Sequence, residues 1–268
     1  MRLDVAYDGT PFSGWARQPD RSTVQGVLED ALSVVFGVSL PLTVAGRTDA
    51  GVHATGQVCH ADIGAHAWVA ADPARVVRRV NGCLPPSVRL LSARPVPSAF
   101  DARFSALSRR YVYRVSDAAY GGLPLRRADT VWHPRPLALR RMQSASRLLV
   151  GEHDFAAFCR RREGATTIRT LRRLAWSKTP DGVFAATVEA DAFCHQMVRS
   201  LVGVLLAVGD GRKPPEWAGD VLASRDRQRA AAVAPAHGLT LVEVRYPADS
   251  RLAARAAQTR RRRDEADG

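Results

Sequence analysis

The sequence predicts an α+β protein made of two ferredoxin-like halves. Two observations carry this prediction: stretches with strand and helix periodicity alternate along the chain, and their order over residues 3–96 recurs over 109–244. With 268 residues and 46% apolar content, the chain can bury one large core or two smaller ones. The predicted organisation is an N-terminal half at 1–104, a C-terminal half at 105–249 and a disordered basic tail at 250–268.

The first passage opens with a strand at 3–7, where apolar and polar residues alternate, and continues through a loop rich in glycine, proline and serine. An amphipathic helix follows, with a capping box at Ser22 and Gln25 and a glycine stop at Gly37. Its apolar residues fall on one face: Val24, Val27, Leu28, Ala31, Leu32 and Val35. Further along, the pattern predicts strands at 42–45 and 58–63, a helix at 73–84 and a strand at 88–96.

The second passage repeats this order without recognisable sequence identity between the halves. It begins with an alternating strand at 109–115 and a helix at 137–150. Two further strands, at 171–176 and 183–190, flank a Thr-Pro-Asp-Gly turn. A strongly apolar helix and a last strand complete it, at 197–208 and 239–244.

The formal net charge of +13 is the most informative feature of the composition. Only Lys178 and Lys213 are lysines, so 37 of the 39 basic residues are arginine. Coding bias in a GC-rich genome explains that ratio, but it does not explain the excess of positive charge. Because arginine binds phosphate through two parallel hydrogen bonds, the excess favours a polyanionic partner such as nucleic acid.

Hydropathy and cysteine usage exclude other classes. No apolar run is long enough to span a membrane, and the first residues lack the apolar stretch of a secretory signal. The four cysteines form no CxxC pair, which predicts reduced, mostly buried thiols in a cytoplasmic protein and no zinc site. They are Cys59, Cys83, Cys159 and Cys194.

The segment Gly46–Ala54 is the densest in chemically useful side chains. Arg47 and Asp49 are two residues apart, so on an extended loop they point the same way and the cation can keep the carboxylate ionised. His53 is a further polar candidate. Taken alone, the segment also fits a solvated turn with a weak surface ion pair.

The strand at 109–114 places arginine and tyrosine side chains side by side. Alternation puts Arg109, Tyr111 and Tyr113 on one face and Arg110 on the other. Such a surface can stack a base and bind its phosphate, although a core tyrosine with solvated arginines would give the same pattern.

Arg199 lies in the apolar helix predicted at 197–208. A charge without a partner in a core is costly, so this position implies a carboxylate elsewhere in the chain. An internal structural salt bridge would satisfy that requirement equally well.

Eight segments, in order, resemble the TruA family of tRNA pseudouridine synthases, and together they run from residue 5 to about 246. The segment Gly46–Ala54 reads as the GRTDAGVHA catalytic loop of that family without a change. The other seven are Tyr7–Trp15, Asn81–Pro85, Phe100–Phe104, Arg110–Tyr113, Gly151–Phe155, Met197–Arg199 and Ala234–Leu239.

The resemblance implies roles for four residues. Asp49 would be the catalytic nucleophile, Arg199 would pair with it, and Arg47 would position the substrate or extrude the base. Tyr111 would stack on the target base. His53 and Arg110 are further predicted substrate-binding residues.

The resemblance also implies a fold, a substrate and an assembly. The two halves would share a combined, mostly antiparallel sheet with a central active-site cleft. A homodimer would hold the anticodon arm of one tRNA and isomerise uridine at positions 38, 39 and 40. Because the reaction moves a glycosidic bond from N1 to C5 without redox change, it requires neither cofactor nor metal.

Two departures from the family pattern leave tRNA contacts open. Ala16 and Arg17 stand after the opening tryptophan, and Cys194–Gln196 precede the Met-Val-Arg segment. Two rival functions remain: an RNA-binding protein without activity, and a hydrolase that uses an aspartate with His53 or the pair His153 and Asp154.

Overall fold

The computed structural model describes residues 1–64, 72–160 and 166–267. Ten strands are described: β1 (Arg2–Tyr7), β2 (Thr43–Val44), β3 (His53–His60), β4 (Val88–Arg94), β5 (Ser108–Ser116), β6 (Val131–Trp132), β7 (Gly151–Asp154), β8 (Ile168–Lys178), β9 (Phe184–Ala190) and β10 (Leu239–Arg245). The α-helices of these ranges are α1 (Val24–Phe36), α2 (Pro73–Cys83), α3 (Leu139–Arg147), α4 (Met197–Gly209), α5 (Trp217–Ser224) and α6 (Leu252–Asp267). The chain is thus mixed α and β, as predicted.

The chain forms two compact units. The first comprises Met1–Leu107 with Leu241–Arg261, and the second comprises Ser108–Thr240 with the last residues of the chain. The first boundary lies close to the predicted one at residue 104. The predicted C-terminal half at 105–249 differs, because Leu241–Arg261 belong to the first unit. The chain therefore returns to its first unit after completing the second.

The first unit has the predicted βαββαβ order. Strand β1 lies between β4 and β3 and is antiparallel to both, and β2 pairs with the other edge of β3. This order, β4-β1-β3-β2, is that of a ferredoxin-like sheet. Helix α1 buries its apolar stripe through Leu28 and Leu32, as its periodicity predicts.

The ends of α1 test the predicted caps. The N-cap is Thr23, whose Oγ1 accepts a hydrogen bond from the Gly26 amide at 3.2 Å, so the prediction of Ser22 is one residue too early. Gly37 ends the helix in the left-handed region at φ 72°, as predicted.

The second unit contains an antiparallel sheet in the order β5-β9-β8-β7, with the short β6 parallel to β5. The register of β5 against β9 places Tyr111 opposite Val188. Helix α4 is buried along its whole length except at Arg199. The helix is apolar along almost its whole sequence because it is buried on all sides. Arg199 is the one residue of this helix that is partly exposed.

The C-terminal segment is helical, where the sequence predicted a disordered tail at 250–268. Its first turns are packed, since Leu252 and Ala256 are buried. The Arg255 side chain donates to the Ala106 carbonyl, and Arg260 lies 2.8 Å from the Asp101 carboxylate. This segment is thus stabilised by two buried apolar residues at helical spacing and by two arginines that bind acceptors of the first unit. Its composition alone had predicted disorder.

The prediction of reduced thiols is also wrong for one pair. Cys159 and Cys194 form a disulfide with a Cα–Cα distance of 5.6 Å, whereas Cys59 is free and buried and Cys83 is free and exposed. The two joined residues lie 35 positions apart, so their pairing depends on tertiary structure and could not be read from spacing. Among the helices of the described ranges, none has the length and apolar character needed to cross a membrane.

Candidate active site

The aspartate loop lies in the first unit, between β2 and β3. Arg47 is exposed, Asp49 is half-buried, and His53 begins β3 with 6% of its surface exposed. The three residues predicted from this segment therefore lie on one loop and its following strand. Arg47 is thus an exposed cation, whereas the Asp49 carboxylate is partly shielded from solvent.

Backbone contacts fix the loop on both sides of Asp49. The Trp15 amide donates to the Thr48 carbonyl at 3.0 Å, and the Val52 amide donates to the Asp49 carbonyl at 3.2 Å. Gly14 lies against the loop with φ +98°, and a Cβ there would come within 2.9 Å of the Thr48 oxygen. Only glycine meets both conditions. The opening motif Tyr7–Trp15 therefore serves as a support for the aspartate loop.

His53 connects the loop to that same opening motif. Its Nδ1 lies 3.0 Å from the Gly9 amide nitrogen and 3.1 Å from Asp8 Oδ1. Burial raises the pKa of the Asp8 carboxyl, but hydrogen bonds from Thr10 and the neighbouring His53 outweigh it, and the net pKa lies below its usual value. This geometry gives His53 a structural task, whereas its predicted role in substrate binding stays a prediction.

Strand β5 carries the aromatic residues of the second unit, and its alternation is confirmed. Tyr111 and Tyr113 are buried, while Arg110 and Arg114 on the other face are half-buried. The ring of Tyr111 meets Phe193 edge to face at a centroid distance of 5.2 Å. Such a contact holds the ring plane in one orientation, which is a requirement for stacking on a base.

Arg110 is held by a carboxylate that sequence reasoning did not find. Its Nε donates to Glu189 Oε2 at 3.1 Å, and Ser108 Oγ donates to Oε1 of the same side chain at 3.0 Å. Glu189 is nearly buried and faces Arg110 directly across β5 and β9. The alternation of β9 alone could have placed Glu189 on this face, but the pairing register was needed to match it with Arg110.

Arg199 is anchored by a segment with no obvious chemical signal. Its Nε donates to the Ala234 carbonyl at 2.7 Å, and the Ala234 amide donates back to the Arg199 carbonyl at 3.1 Å. The neighbouring Pro235 carbonyl accepts a hydrogen bond from the Tyr113 hydroxyl at 3.0 Å. The segment around residue 234 therefore connects β5 to the first turn of α4 and orients the guanidinium.

The close approach of that segment to α4 depends on Gly203. A Cβ at this position would lie 2.1 Å from the Ala232 carbonyl oxygen, so the backbone would have to move apart. We expect Gly203→Ala to lower the free energy of unfolding by about 1–3 kcal/mol, because overpacking forces such a shift. Urea titration followed by circular dichroism measures this change.

Gly219→Ala is the matched control in the same unit. This glycine also lies in a helix, but an added Cβ would meet only the Leu148 side chain, with Cδ1 at 3.7 Å and Cβ at 3.9 Å, which are ordinary contacts. Alanine should be neutral there or stabilising by up to about 1 kcal/mol. Equal stability of the two variants would contradict the proposed close packing at Gly203.

Three residues in the two departures from the family pattern have identifiable structural roles. Arg17 donates to both Glu29 and Asp30, at 2.9 and 2.7 Å, and so attaches the opening motif to α1. Cys194 forms the disulfide, and Gln196 is the N-cap of α4 with φ 66°. These residues shape the supports of the site.

The predicted site residues fall into two sets. Arg47, Asp49 and His53 belong to the first unit, and Arg110, Tyr111 and Arg199 belong to the second. Within the described ranges, no group of three or more His, Cys, Asp or Glu side chains could hold a metal ion. An anchored, half-buried aspartate is thus the candidate for carboxylate chemistry, with an oriented tyrosine and an oriented arginine in the other unit.

Comparisons with known proteins identify the family. The family model described as tRNA pseudouridine synthase matches residues 5–105 and 145–247. A tRNA pseudouridine synthase A from Frankia casuarinae is 61% identical over 97% of this chain and 94% of its own length. The enzyme of that name from Streptomyces griseus is 57% identical, over 97% of this chain and 92% of its own. The chain belongs to the tRNA pseudouridine synthase family.

Two more comparisons complete this result. The Mycobacterium leprae tRNA pseudouridine synthase A is 50% identical over 97% of this chain and 94% of its own length. A solved structure of a Cbf5-Nop10-Gar1 complex aligns with 91% of this chain and 58% of the solved chain, at a TM-score of 0.35 and 11% identity. The latter likeness is too low to support an argument about this protein.

Proposed function

We propose that this protein isomerises uridine to pseudouridine in tRNA, acts at positions 38, 39 and 40 of the anticodon stem-loop, and uses Asp49 as its nucleophile. One observation carries the proposal: Asp49 occupies the anchored, half-buried position of a loop that reads as the family's catalytic motif. Identity of 50–61% to three enzymes named tRNA pseudouridine synthase A supports the same reaction.

The reaction sets the demands on the site. The bond between uridine N1 and C1′ breaks, a bond between C5 and C1′ forms, the hydrogen at C5 is released as a proton, and N1 takes up a proton. No electron leaves or enters the substrate. In this reaction the Asp49 carboxylate attacks the sugar or the ring, or assists formation of a glycal intermediate. Partial burial strengthens its electrostatic interactions with reacting groups.

The other site residues receive roles in the same proposal. Arg199 acts together with Asp49 in the chemical step, a role inferred from the Met-Val-Arg motif. Tyr111 stacks on the base once it has left the helical stack and offsets part of the cost of unstacking. Arg47, His53 and Arg110 contact the substrate, with exposed Arg47 the best placed to meet a phosphate.

The wider setting follows from the substrate. The net charge of +13 matches a polyanionic partner, and the arginine-rich composition supplies bidentate donors for its phosphates. We infer that the protein acts in the cytoplasm, where tRNA is processed, and that a homodimer holds the anticodon arm. It is proposed to need no cofactor.

Tritium release tests the substrate and position together. Anticodon-arm tRNA transcripts carry 5-tritiated uridine, with uridine or cytidine at positions 38, 39 and 40. Conversion to pseudouridine releases one tritium per modified uridine, so release should equal the number of uridines at these positions. Transcripts with cytidine at all three should release none, although they should bind with similar affinity because phosphate contacts dominate binding.

The transcripts also separate the rival functions. Binding without release from any transcript would favour an RNA-binding protein without activity. Cleavage of the strand or free uracil in the mass balance would favour a hydrolase. Release that persists in the triple-cytidine transcript would move the target away from positions 38–40.

A further inference from the structure

Three buried polar side chains lie beneath the aspartate loop and have no role in the reaction proposed above. Tyr7, Thr48 and Gln57 are all at least nine-tenths buried, and Gln57 is fully so. They come from β1, the loop and β3. Tyr7 lies 41 residues before Thr48 and 50 residues before Gln57 in the sequence. Polar groups withdrawn from water are costly unless they are paired, so their arrangement needs an explanation.

The three side chains form one hydrogen-bonded chain. Gln57 Nε2 lies 3.1 Å from the Tyr7 hydroxyl and 2.9 Å from the Gly46 carbonyl oxygen, so its two hydrogens have two acceptors. The Tyr7 hydroxyl lies 2.8 Å from Thr48 Oγ1. Either hydroxyl can donate in the contact between Tyr7 and Thr48, and in both cases the three side chains form one continuous hydrogen-bonded path from Gln57 to the loop.

An irregularity in β3 directs Gln57 into this position. Val5 pairs with Gln57 but Tyr7 pairs with Ala54, so β3 has one more residue than β1 over this stretch. An extra residue changes the direction of the following side chains. The Val58 amide also donates to Gln57 Oε1 at 3.2 Å, which fixes the remaining end of the amide group.

The three hydrogen-bonded side chains contact the loop at two points on the N-terminal side of Asp49. Gly46 begins the family motif and is bound through its carbonyl, and Thr48 immediately precedes Asp49 and is bound through its hydroxyl. The Thr48 carbonyl is bound in addition by the Trp15 amide. Thr48 is therefore fixed at both its side chain and its main chain, which restricts the direction in which the next residue can project.

We propose that Tyr7, Thr48 and Gln57 are positioning residues that set the direction of the Asp49 carboxylate. The inference rests on the proposed role of Asp49 as the reacting group. A network that only stabilised the first unit would affect folding, whereas one that positions Asp49 affects the chemical step after tRNA is bound. A displacement of about 1 Å at a reacting group costs on the order of 100-fold in rate.

The experiment compares Gln57→Leu, Tyr7→Phe and Thr48→Val with the wild type. Single-turnover tritium release at saturating enzyme gives the rate of the chemical step, and filter binding of the unlabelled anticodon arm gives Kd. We expect the rate to fall about 10- to 100-fold in each variant, with Kd within about 2-fold of the wild type. The double variant Tyr7→Phe with Thr48→Val should lose far less than the product of the single losses, since both act in one chain.

Two controls separate positioning from stability. Thr48→Ser retains the hydroxyl and should recover most of the rate lost in Thr48→Val. Thr23→Ala removes the buried N-cap of α1 in the same unit, and it should lower the Tm without changing the rate at a temperature where the protein is folded. If Gln57→Leu fails to fold, Tyr7→Phe and Thr48→Val carry the test, because each removes a single hydrogen-bonding group or replaces it with a methyl.

The outcomes also distinguish failure of this inference from failure of the proposed function. Full rates in the three variants, with Asp49→Asn inactive, would overturn the positioning role alone. Rates that follow the Tm, or losses in Kd alone, would make the network structural and overturn it as well. Turnover by Asp49→Asn would remove the proposed nucleophile and with it the reason for the network.

Discussion

Asp49→Asn is expected to lower the rate of pseudouridine formation by about 10⁴-fold or more while tRNA binding stays within about 3-fold of the wild type. The change replaces a carboxylate oxygen with an amide nitrogen of similar size, so the loop should keep its backbone contacts to Trp15 and Val52. The nucleophile is lost, and loss of a nucleophile costs enzymes rates of this order. Tritium release under single-turnover conditions, together with Kd, measures both quantities.

Asp20→Asn provides the matched control for this change. It removes one carboxylate from the same unit, at an exposed position outside the loop with φ 55°, a conformation that asparagine tolerates. It should leave both rate and Kd unchanged. Measurable product from pure Asp49→Asn, above that of contaminating wild type, would remove Asp49 as the nucleophile.

Tyr111→Ala is expected to lower kcat/KM by about 10- to 100-fold, whereas Tyr111→Phe should stay within a few-fold of the wild type. Stacking of a base on an aromatic side chain contributes about 1–3 kcal/mol, and this is lost only when the ring is removed. The phenylalanine ring also keeps the edge-to-face contact with Phe193 at 5.2 Å. Steady-state tritium release at several tRNA concentrations separates kcat from KM.

Tyr120→Ala serves as the comparison in the same unit, because Tyr120 is 74% exposed and removal of its ring should change neither constant. Equal losses in Tyr111→Phe and Tyr111→Ala would show that the hydroxyl group of Tyr111 matters and that stacking by its ring does not. Loss of activity in Tyr120→Ala as well would indicate a general effect of surface aromatics on tRNA binding.

Local sequence patterns predicted most of the helices and strands because each pattern involves only residues that are neighbours in the sequence. The 3.6-residue apolar period of α1 and the two-residue alternation of β5 both follow from which face is buried. Gly37 ends α1 because the left-handed conformation there excludes most other residues. The predicted N-cap of α1 was wrong by one residue because Ser22 and Thr23 are adjacent and both carry a hydroxyl that can cap a helix.

The candidate site was predicted through motifs, and the interactions that orient it were not. The roles of Asp49, Tyr111 and Arg199 stay predictions, but their supports are now visible in the fold. Glu189 holds Arg110 through a strand register, and the Ala234 carbonyl holds the Arg199 side chain. A backbone carbonyl has no sequence signature, so a contact of this kind cannot be read from residue types.

The amino-acid sequence by itself predicted the α+β class, the βαββαβ order of the first unit, the family resemblance and Asp49 as the candidate nucleophile. These depend on periodicity and on motifs whose residues are neighbours in the chain. Tertiary structure alone decided the Cys159–Cys194 disulfide, the return of Leu241–Arg261 to the first unit, the helical C-terminal segment and the chain from Gln57 to the aspartate loop. Each depends on distances between residues far apart in sequence, which only the packing of the whole chain establishes.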